Sequence, residues 1–274
     1  MTRKARRGFS LVEMLVVVST VSVVMAVLMP ALVVARSYAR AIVCRSNARQ
    51  LVLANLEYAN DNDGFCVPAA DDLWLPLQGT FEGGYHRWHG RRTRPDEPFD
   101  PKKGPLADYL GDGKVKGCPA RVEFTKDQAG PTNFEAGCGG YGYNMVYIGS
   151  RLSLPGMDFK KQYEETARLA EIKRPGATLM FADCAMAQSE WQYIEYSFAE
   201  PPYFLINGEV YTEMFASPSI HFRHRGSANI GWADGHIEPR PMAKTDGDNV
   251  YDVVSANMNL GWFGPVDNTP FELH

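Results

Sequence analysis

The chain has 274 residues, of which 45% are hydrophobic and 22% are charged, and its formal net charge is -4. This balance is ordinary for a globular protein with a buried core and one membrane element. The slightly acidic total argues against nucleic acid as a partner.

The N-terminal stretch joins a basic leader to a long apolar run. Four basic residues precede Gly8, and between Phe9 and Ala35 the only charged residue is Glu13. The uncharged run from Met14 to Ala35 would span about 33 Å as a helix, enough to cross a hydrocarbon core of about 30 Å. A lone carboxylate on a spanning helix costs about 3 kcal/mol at the bilayer centre and less near the interface, so we expect a partner for Glu13.

Residues 8–15 read Gly-Phe-Ser-Leu-Val-Glu-Met-Leu directly after the leader. This segment resembles the N-terminal signal of type IV pilins and of type II secretion pseudopilins. The resemblance implies that a prepilin peptidase cuts between Gly8 and Phe9, that Phe9 is then N-methylated, and that Glu13 neutralises an N-terminal amine in a growing fibre. Removal of residues 1–8 would leave 24 basic and 32 acidic residues, a net charge of -8.

An ordinary secretory signal or a plain single-pass anchor would also contain an apolar run. A secretory signal has an apolar core of about 7–15 residues, shorter than this run, although residues 24–26 or 33–35 mimic its cleavage site. Neither a secretory signal nor a plain anchor accounts for Glu13. Arginines on both sides of the run leave the orientation undecided by charge. The resemblance implies a cytoplasmic N-terminus and a head beyond the inner (cytoplasmic) membrane.

The helix is predicted to continue past the membrane. Apolar residues recur at spacings of three and four, which predicts one buried stripe with Asn47 off it. Gly64, after an Asn- and Asp-rich stretch, should end the helix. The stripe consists of Val34, Tyr38, Ala41, Cys44, Ala48, Leu51, Ala54 and Tyr58. The expected organisation is a leader at 1–8, a transmembrane helix at 9–35, its extension at 36–63 and a globular head at 64–274.

The head is expected to begin with an irregular region and to continue as a sheet. Residues 69–117 are rich in glycine, proline, tryptophan and charge, which predicts a loop-dominated insertion. Within it, residues 86–94 form a basic cluster that would grip phosphate, a glycan or an acidic partner, although a solvated loop is the commoner structure for such a segment. Strands are predicted at 141–148, 178–183 and 191–198, and a polar helix at 158–172. The predicted fold class is α+β and pilin-like: a long N-terminal transmembrane helix with an antiparallel β-sheet head packed on its C-terminal half.

A second signature lies at residues 217–240. Nine residues separate His224 from Asp234, and Gly235 follows, which predicts a tight hairpin turn. The pattern is similar to the His-x9-Asp-Gly region of a large family of prepilin-like proteins with the same N-terminal signal. A structural role for the pair would be a hydrogen bond between the His224 imidazole and the Asp234 carboxylate across two strands.

A metal site at this region is the alternative. Imidazole and carboxylate are ordinary zinc ligands, and His221, His224, His236 and Asp234 are the candidates. His221 and His224 are three residues apart, so on a flat strand their side chains point to opposite faces. We therefore expect no metal at these residues.

The five cysteines and the acidic tail complete the candidate residues. A compartment beyond the membrane permits disulfides, and the preferred pair is Cys118–Cys138, with Cys44–Cys66 as a weaker second. Buried free thiols are the alternative. The turn-rich tail is expected to be a solvated loop. The alternative is calcium binding by its three carboxylates, as in some family heads: Asp246, Asp248 and Asp252. No other cofactor is expected.

The expected function is that of a pseudopilin- or pilin-like structural subunit with no catalysis of its own. Its expected partners are the prepilin peptidase and methylase, copies of itself or related subunits, the secretion or pilus assembly machinery and the membrane. One alternative is an anchored module that binds a glycan or an acidic ligand through Trp74, Trp88 and the basic cluster. The second alternative is an anchored metal-dependent enzyme built on His224 and Asp234.

Overall fold

The computed structural model describes residues 10–77, 83–94, 97–120, 135–190, 192–245 and 247–274. The expected cleavage site between Gly8 and Phe9 lies outside the described residues, as do Trp191 and Asp246.

The molecule is organised on one helix of 51 residues, α1 (Leu11–Asp61). At its start the Ser10 Oγ accepts from the Glu13 N–H at 3.2 Å, and the Glu13 carboxylate accepts from the Ser10 N–H at 2.8 Å. This reciprocal pair satisfies two backbone donors that a helix N-terminus would otherwise leave open. At the far end the Gly64 N–H donates to the Ala59 carbonyl at 2.8 Å. The positive φ of Gly64 turns the chain there, as predicted.

The two halves of α1 differ in what covers them. The large apolar side chains from Leu11 to Val34 are exposed, and burial begins at Ala41. The predicted stripe is therefore confirmed from Ala41 onward, whereas Val34 and Tyr38 are exposed, although the Arg225 guanidinium of the head lies 4.8 Å from the Tyr38 ring centroid. Asn47, predicted to lie off the stripe, is buried beneath the head. The buried residues of α1 are Ala41, Cys44, Asn47, Ala48, Leu51, Val52, Ala54, Asn55 and Ala59.

The described part of the head is an assembly of short antiparallel strands with two further short helices. The helices are α2 (Trp74–Leu77) and α3 (Phe159–Glu164). The strands are β1 (His86–Arg87), β2 (Gly90–Arg91), β3 (Tyr141–Tyr143), β4 (Leu179–Asp183), β5 (Met186–Ser189), β6 (Gln192–Ile194), β7 (Tyr203–Ile206), β8 (Glu209–Phe215), β9 (Ile220–His221), β10 (Ser227–Trp232), β11 (Ile237–Pro241) and β12 (Leu260–Gly261). Short 3-10 turns occur at Pro101–Lys103, Ala107–Tyr109, Leu169–Glu171 and Ser255–Met258.

The central sheet has the strand order β11-β10-β4-β3, and each neighbouring pair is antiparallel. Tyr141 of β3 lies opposite Asp183 of β4, and Ile230 of β10 lies opposite Ala182. The remaining strands form two-stranded ribbons around this sheet. The predicted α+β, pilin-like fold is confirmed: a long apolar N-terminal helix followed by antiparallel sheets.

The buried half of α1 packs across β4, β10 and β11. The helix lies so close to β10 that position 231 requires glycine, because an added Cβ there would lie 2.9 Å from Val52 Cγ2 of the helix. Glycine in a strand commonly marks such a contact. The fold thereby places the helix residues around Cys44 and Val52 directly over the central sheet.

Some predicted elements are shorter in the structure, for identifiable reasons. The strand predicted at 141–148 ends after Tyr143, because the Ile148 and Gly149 N–H groups turn back to the Asn144 carbonyl. The buried Asn144 amide donates to the Leu179 and Phe271 carbonyls and fixes this turn. The helix predicted at 158–172 is reduced to α3 and one 3-10 turn.

Candidate functional site

The N-terminal segment presents a carboxylate one turn inside an exposed apolar helix. Glu13 belongs to the first turn of α1, and its side chain accepts the Ser10 N–H. A negative charge is favourable at this end because the helix dipole places partial positive charge there. After a cut at Gly8 the chain would begin one residue before Ser10.

α1 is long and apolar enough to cross a membrane, and the most apolar part of it is not buried within the protein. An apolar helix segment that is not buried in its own fold needs lipid or neighbouring helices around it. The predicted assembly role of Glu13 remains a prediction.

The His-x9-Asp-Gly residues lie at the two ends of one strand. His224 precedes a two-residue turn in which Arg225 and Gly226 have positive φ, and Asp234 follows β10 in the next turn. The six residues of β10 separate the two side chains by about 20 Å at 3.3 Å per residue. The expected His224–Asp234 hydrogen bond is therefore wrong. The Asp234 carboxylate binds His236 Nδ1 instead, at 2.6 Å.

The metal set considered as the alternative for the same region is not brought together either. His221 is buried and packs its ring on Tyr193, with centroids 4.8 Å apart. His236 and Asp234 form their own exposed pair. Among the described residues, His224 is instead grouped with side chains from three distant parts of the chain.

These side chains form what we call the head cluster: Cys44, Cys118, Asp183 and His224. Cys44 lies on the buried face of α1, Asp183 ends β4, and the turn before β10 presents His224. Cys118 is held by its N–H, which donates to the Gly139 carbonyl at 2.9 Å. Cys44 and Asp183 are fully buried, and His224 is nearly so.

The distances within the head cluster are short. Cys44 Sγ lies 3.0 Å from Asp183 Oδ1, and His224 Nε2 lies 3.3 Å from Asp183 Oδ2. Cys118 Sγ lies 3.4 Å from His224 Nε2. The Tyr141 hydroxyl lies 3.2 Å from Cys44 Sγ. All four ligand atoms lie within 4.8 Å of one another.

Burial and mutual contact shift the protonation of these groups. The hydrogen bond with Cys44, aided by His224, lowers the pKa of the Cys118 thiol to about 5 against the effect of burial. Burial also opposes the charging of His224, but its contacts with Asp183 and Cys118 raise its pKa to about 9. Although burial acts the other way, His224 and Arg223 hold the pKa of Asp183 below its ordinary value. Burial raises the pKa of the Cys44 thiol.

The predicted disulfides are not formed. All five cysteines are free thiols, so both the Cys118–Cys138 and the Cys44–Cys66 pairs are corrected. Although the Cys118 backbone is bonded beside Cys138, its sulfur is directed to Cys44 and His224. Sequence alone does not fix which cysteines meet. The sequence signal that could have pointed to the head cluster is Asp183, an acidic residue at the end of an otherwise apolar strand.

The basic cluster at 86–94 proves to be largely internal. Arg87, Trp88 and His89 are almost fully buried, and Arg92 is buried. The Arg87 guanidinium donates to both carboxylate oxygens of Glu135, at 2.8 and 2.9 Å. The solvated loop favoured for this segment is thus wrong for these residues, and the acidic group that Arg87 binds is a residue of the same chain.

The tail, for which calcium binding was the alternative to a solvated loop, is described in part. Asp246 lies outside the described residues. Among the described residues, Asp248 and Asp252 belong to no group of three or more close ligand side chains.

Comparison with protein families gives one match, the prokaryotic N-terminal methylation motif, at residues 3–29. The match covers the N-terminal segment alone. Together with the long apolar helix that follows, it fits a type IV pilin-like protein. The chain matches no curated protein and no solved structure.

Proposed function

We propose that this chain is a pseudopilin- or pilin-like structural subunit that assembles into a type II secretion or type IV pilus-like fibre. The observation that carries the proposal is the methylation motif at residues 3–29, which leads directly into the exposed apolar half of α1. The chain is a substrate of prepilin peptidase and performs no catalysis itself.

The two halves of α1 suit two successive environments. Before assembly, the apolar half lies in the inner membrane, with the N-terminus in the cytoplasm and the head on the opposite side. After extraction, the same apolar surface packs against the helices of neighbouring subunits, where it again avoids water. The buried half holds the head in both states.

Glu13 links these states. In lipid its carboxylate costs up to about 3 kcal/mol, depending on depth. In the fibre the amine of a neighbouring Phe9 neutralises it, so assembly relieves a cost that the membrane-bound subunit carries. The Ser10–Glu13 contact holds the carboxylate at the helix end where such an amine would arrive.

The two alternative functions have less support. A glycan-binding face would need the Trp88 ring on the surface, yet Trp88 is fully buried and packs in the core. An enzyme built on His224 and Asp234 would need them at one site, yet they flank β10 at its opposite ends.

Peptidase-dependent cleavage tests the proposal. When the chain is produced with a prepilin peptidase, we expect the membrane fraction to contain a form shorter by residues 1–8. Gly8→Val should block this cleavage, because the resemblance places the glycine immediately before the cut. Gly111→Val is the matched control, since an added Cβ at Gly111 meets nothing within 4 Å. Unchanged length of the wild-type chain with active peptidase would refute the proposal.

A further inference from the structure

We propose that the head cluster of Cys44, Cys118, Asp183 and His224 is a structural binding site for a thiolate-preferring divalent metal, with zinc as the expected ion. The inference rests on the geometry of the head and is independent of whether the chain is cleaved or assembled.

The spacing of the ligand atoms is close to that of a tetrahedral site. Zinc bonds of about 2.3 Å to sulfur and 2.0–2.2 Å to nitrogen and oxygen put neighbouring ligand atoms about 3.3–3.8 Å apart. The observed separations are 3.0 Å from Cys44 Sγ to Asp183 Oδ1, 3.3 Å from His224 Nε2 to the other carboxylate oxygen of Asp183 and 3.4 Å from Cys118 Sγ to His224 Nε2. One ligand atom from each of the four residues lies within 4.8 Å of the others. Small side-chain movements therefore suffice to surround one ion.

The chemistry of the donors selects the metal. Two thiolates and one imidazole favour zinc and similar borderline or soft ions over calcium or magnesium, which take oxygen ligands. Four protein ligands close the coordination sphere, as in structural zinc sites, and leave no position for a substrate. Two thiolates and one carboxylate bring three negative charges, of which the ion offsets two. The buried Arg223 guanidinium is close enough to Asp183, Cys118 and Cys44 to act on their charge.

Neighbouring groups orient the ligands. The Asn229 N–H donates to Asp183 Oδ2 at 2.7 Å, and the Tyr141 hydroxyl is 3.2 Å from Cys44 Sγ. Outer contacts of this kind fix ligand orientation in metal sites and support affinity. His224 sits in a tight turn closed by its N–H to the Ser227 carbonyl, at 3.0 Å.

A metal here would fasten the head to the long helix. The ligands come from α1, the segment before residue 120, the end of β4 and the turn before β10. Cys44 and Asp183 are 139 residues apart in the chain. One ion would therefore cross-link the long helix to the central sheet.

Metal analysis of the full chain, purified in detergent from zinc-supplied cells, tests the site. We expect about one zinc per chain, and replacement by Co²⁺ should give the absorption of tetrahedral cobalt with thiolate charge transfer. Cys118→Ser and His224→Ala should lose most of the zinc. Cys66→Ser is the control, because Cys66 is also a free thiol of the head but lies outside the cluster.

Two results would overturn the proposal. One is a folded wild-type chain that holds no zinc and gives no cobalt spectrum. The second is a Cys44–Cys118 disulfide, which the intact mass would show as two cysteines that do not become alkylated. Because both readouts use the wild-type chain, they decide the matter even where a variant fails to fold. Neither depends on processing at Gly8, so a failure here leaves the proposed function standing.

Discussion

Glu13→Gln is expected to leave the subunit in the membrane while its incorporation into fibres falls by about 100-fold. The glutamine removes a charge that costs about 3 kcal/mol in the bilayer, so membrane insertion is unharmed. It also removes the partner of the N-terminal amine, which then stays unpaired in the fibre. Loss of a pairing of that size, about 3 kcal/mol, corresponds to about a 100-fold change in an equilibrium constant.

The measurement is the ratio of chain in sheared or secreted fibres to chain in the membrane. Glu57→Gln is the control, because Glu57 lies on the exposed side of the same helix, within the head-bearing half. It removes an equal charge and should leave the ratio unchanged. Equal fibre content for Glu13→Gln and wild type would exclude an assembly role for this carboxylate.

Arg87→Met is expected to lower the free energy of unfolding of the head by about 3–5 kcal/mol. The guanidinium is fully buried and donates to both oxygens of the equally buried Glu135. Removing it leaves a carboxylate without its main cation in a water-free site, which is far more costly than losing an exposed pair. Denaturant unfolding of the detergent-purified chain, followed through the buried Trp88, measures the effect.

Two further variants identify the cause of that loss. Arg87→Met combined with Glu135→Leu should recover part of the stability, since no unpaired charge remains. Lys103→Met breaks an exposed ion pair of 3.6 Å with Asp100 and should cost at most about 1 kcal/mol. A loss in Arg87→Met no greater than that in Lys103→Met would show that the pair is not important for the fold.

Acid should also weaken the Arg87–Glu135 ion pair. Although burial acts the other way, Arg87 holds the pKa of Glu135 below its ordinary value. A carboxylate with a lowered folded-state pKa stabilises the fold above its unfolded pKa of about 4.3, and that contribution disappears as the pH falls through the folded value. The wild type should therefore lose stability in acid more steeply than the double variant.

The sequence correctly predicted those features of α1 that depend on interactions between neighbouring residues. The spacing of apolar residues in α1 located the stripe from Ala41 onward, and the Asn- and Asp-rich stretch before Gly64 located the helix end. Both depend on residues within a few positions of one another. The exposed Val34 and Tyr38 show the limit of the pattern, because periodicity does not reveal where the covering head begins.

Contacts between distant residues were not predictable in this way. His224 was expected to meet Asp234 because they share a motif, but β10 holds them apart and Asp183 meets His224 instead. Arg87 appeared to belong to a surface cluster because its partner, Glu135, lies 48 residues away. The contacts among Cys44, Cys118 and Asp183 depend in the same way on the topology of the sheet, which no short pattern encodes.

The most direct test of the central claim is the mature N-terminus of the chain in its native membrane. Intact mass and N-terminal peptide mapping should show a chain that begins at N-methylated Phe9 and lacks residues 1–8. A chain that retains Met1 to Gly8 would be a simple membrane anchor, and a chain that begins near Ala26 or Arg36 would be a secreted protein. Either result would contradict the account of this protein as a processed, pilin-like subunit.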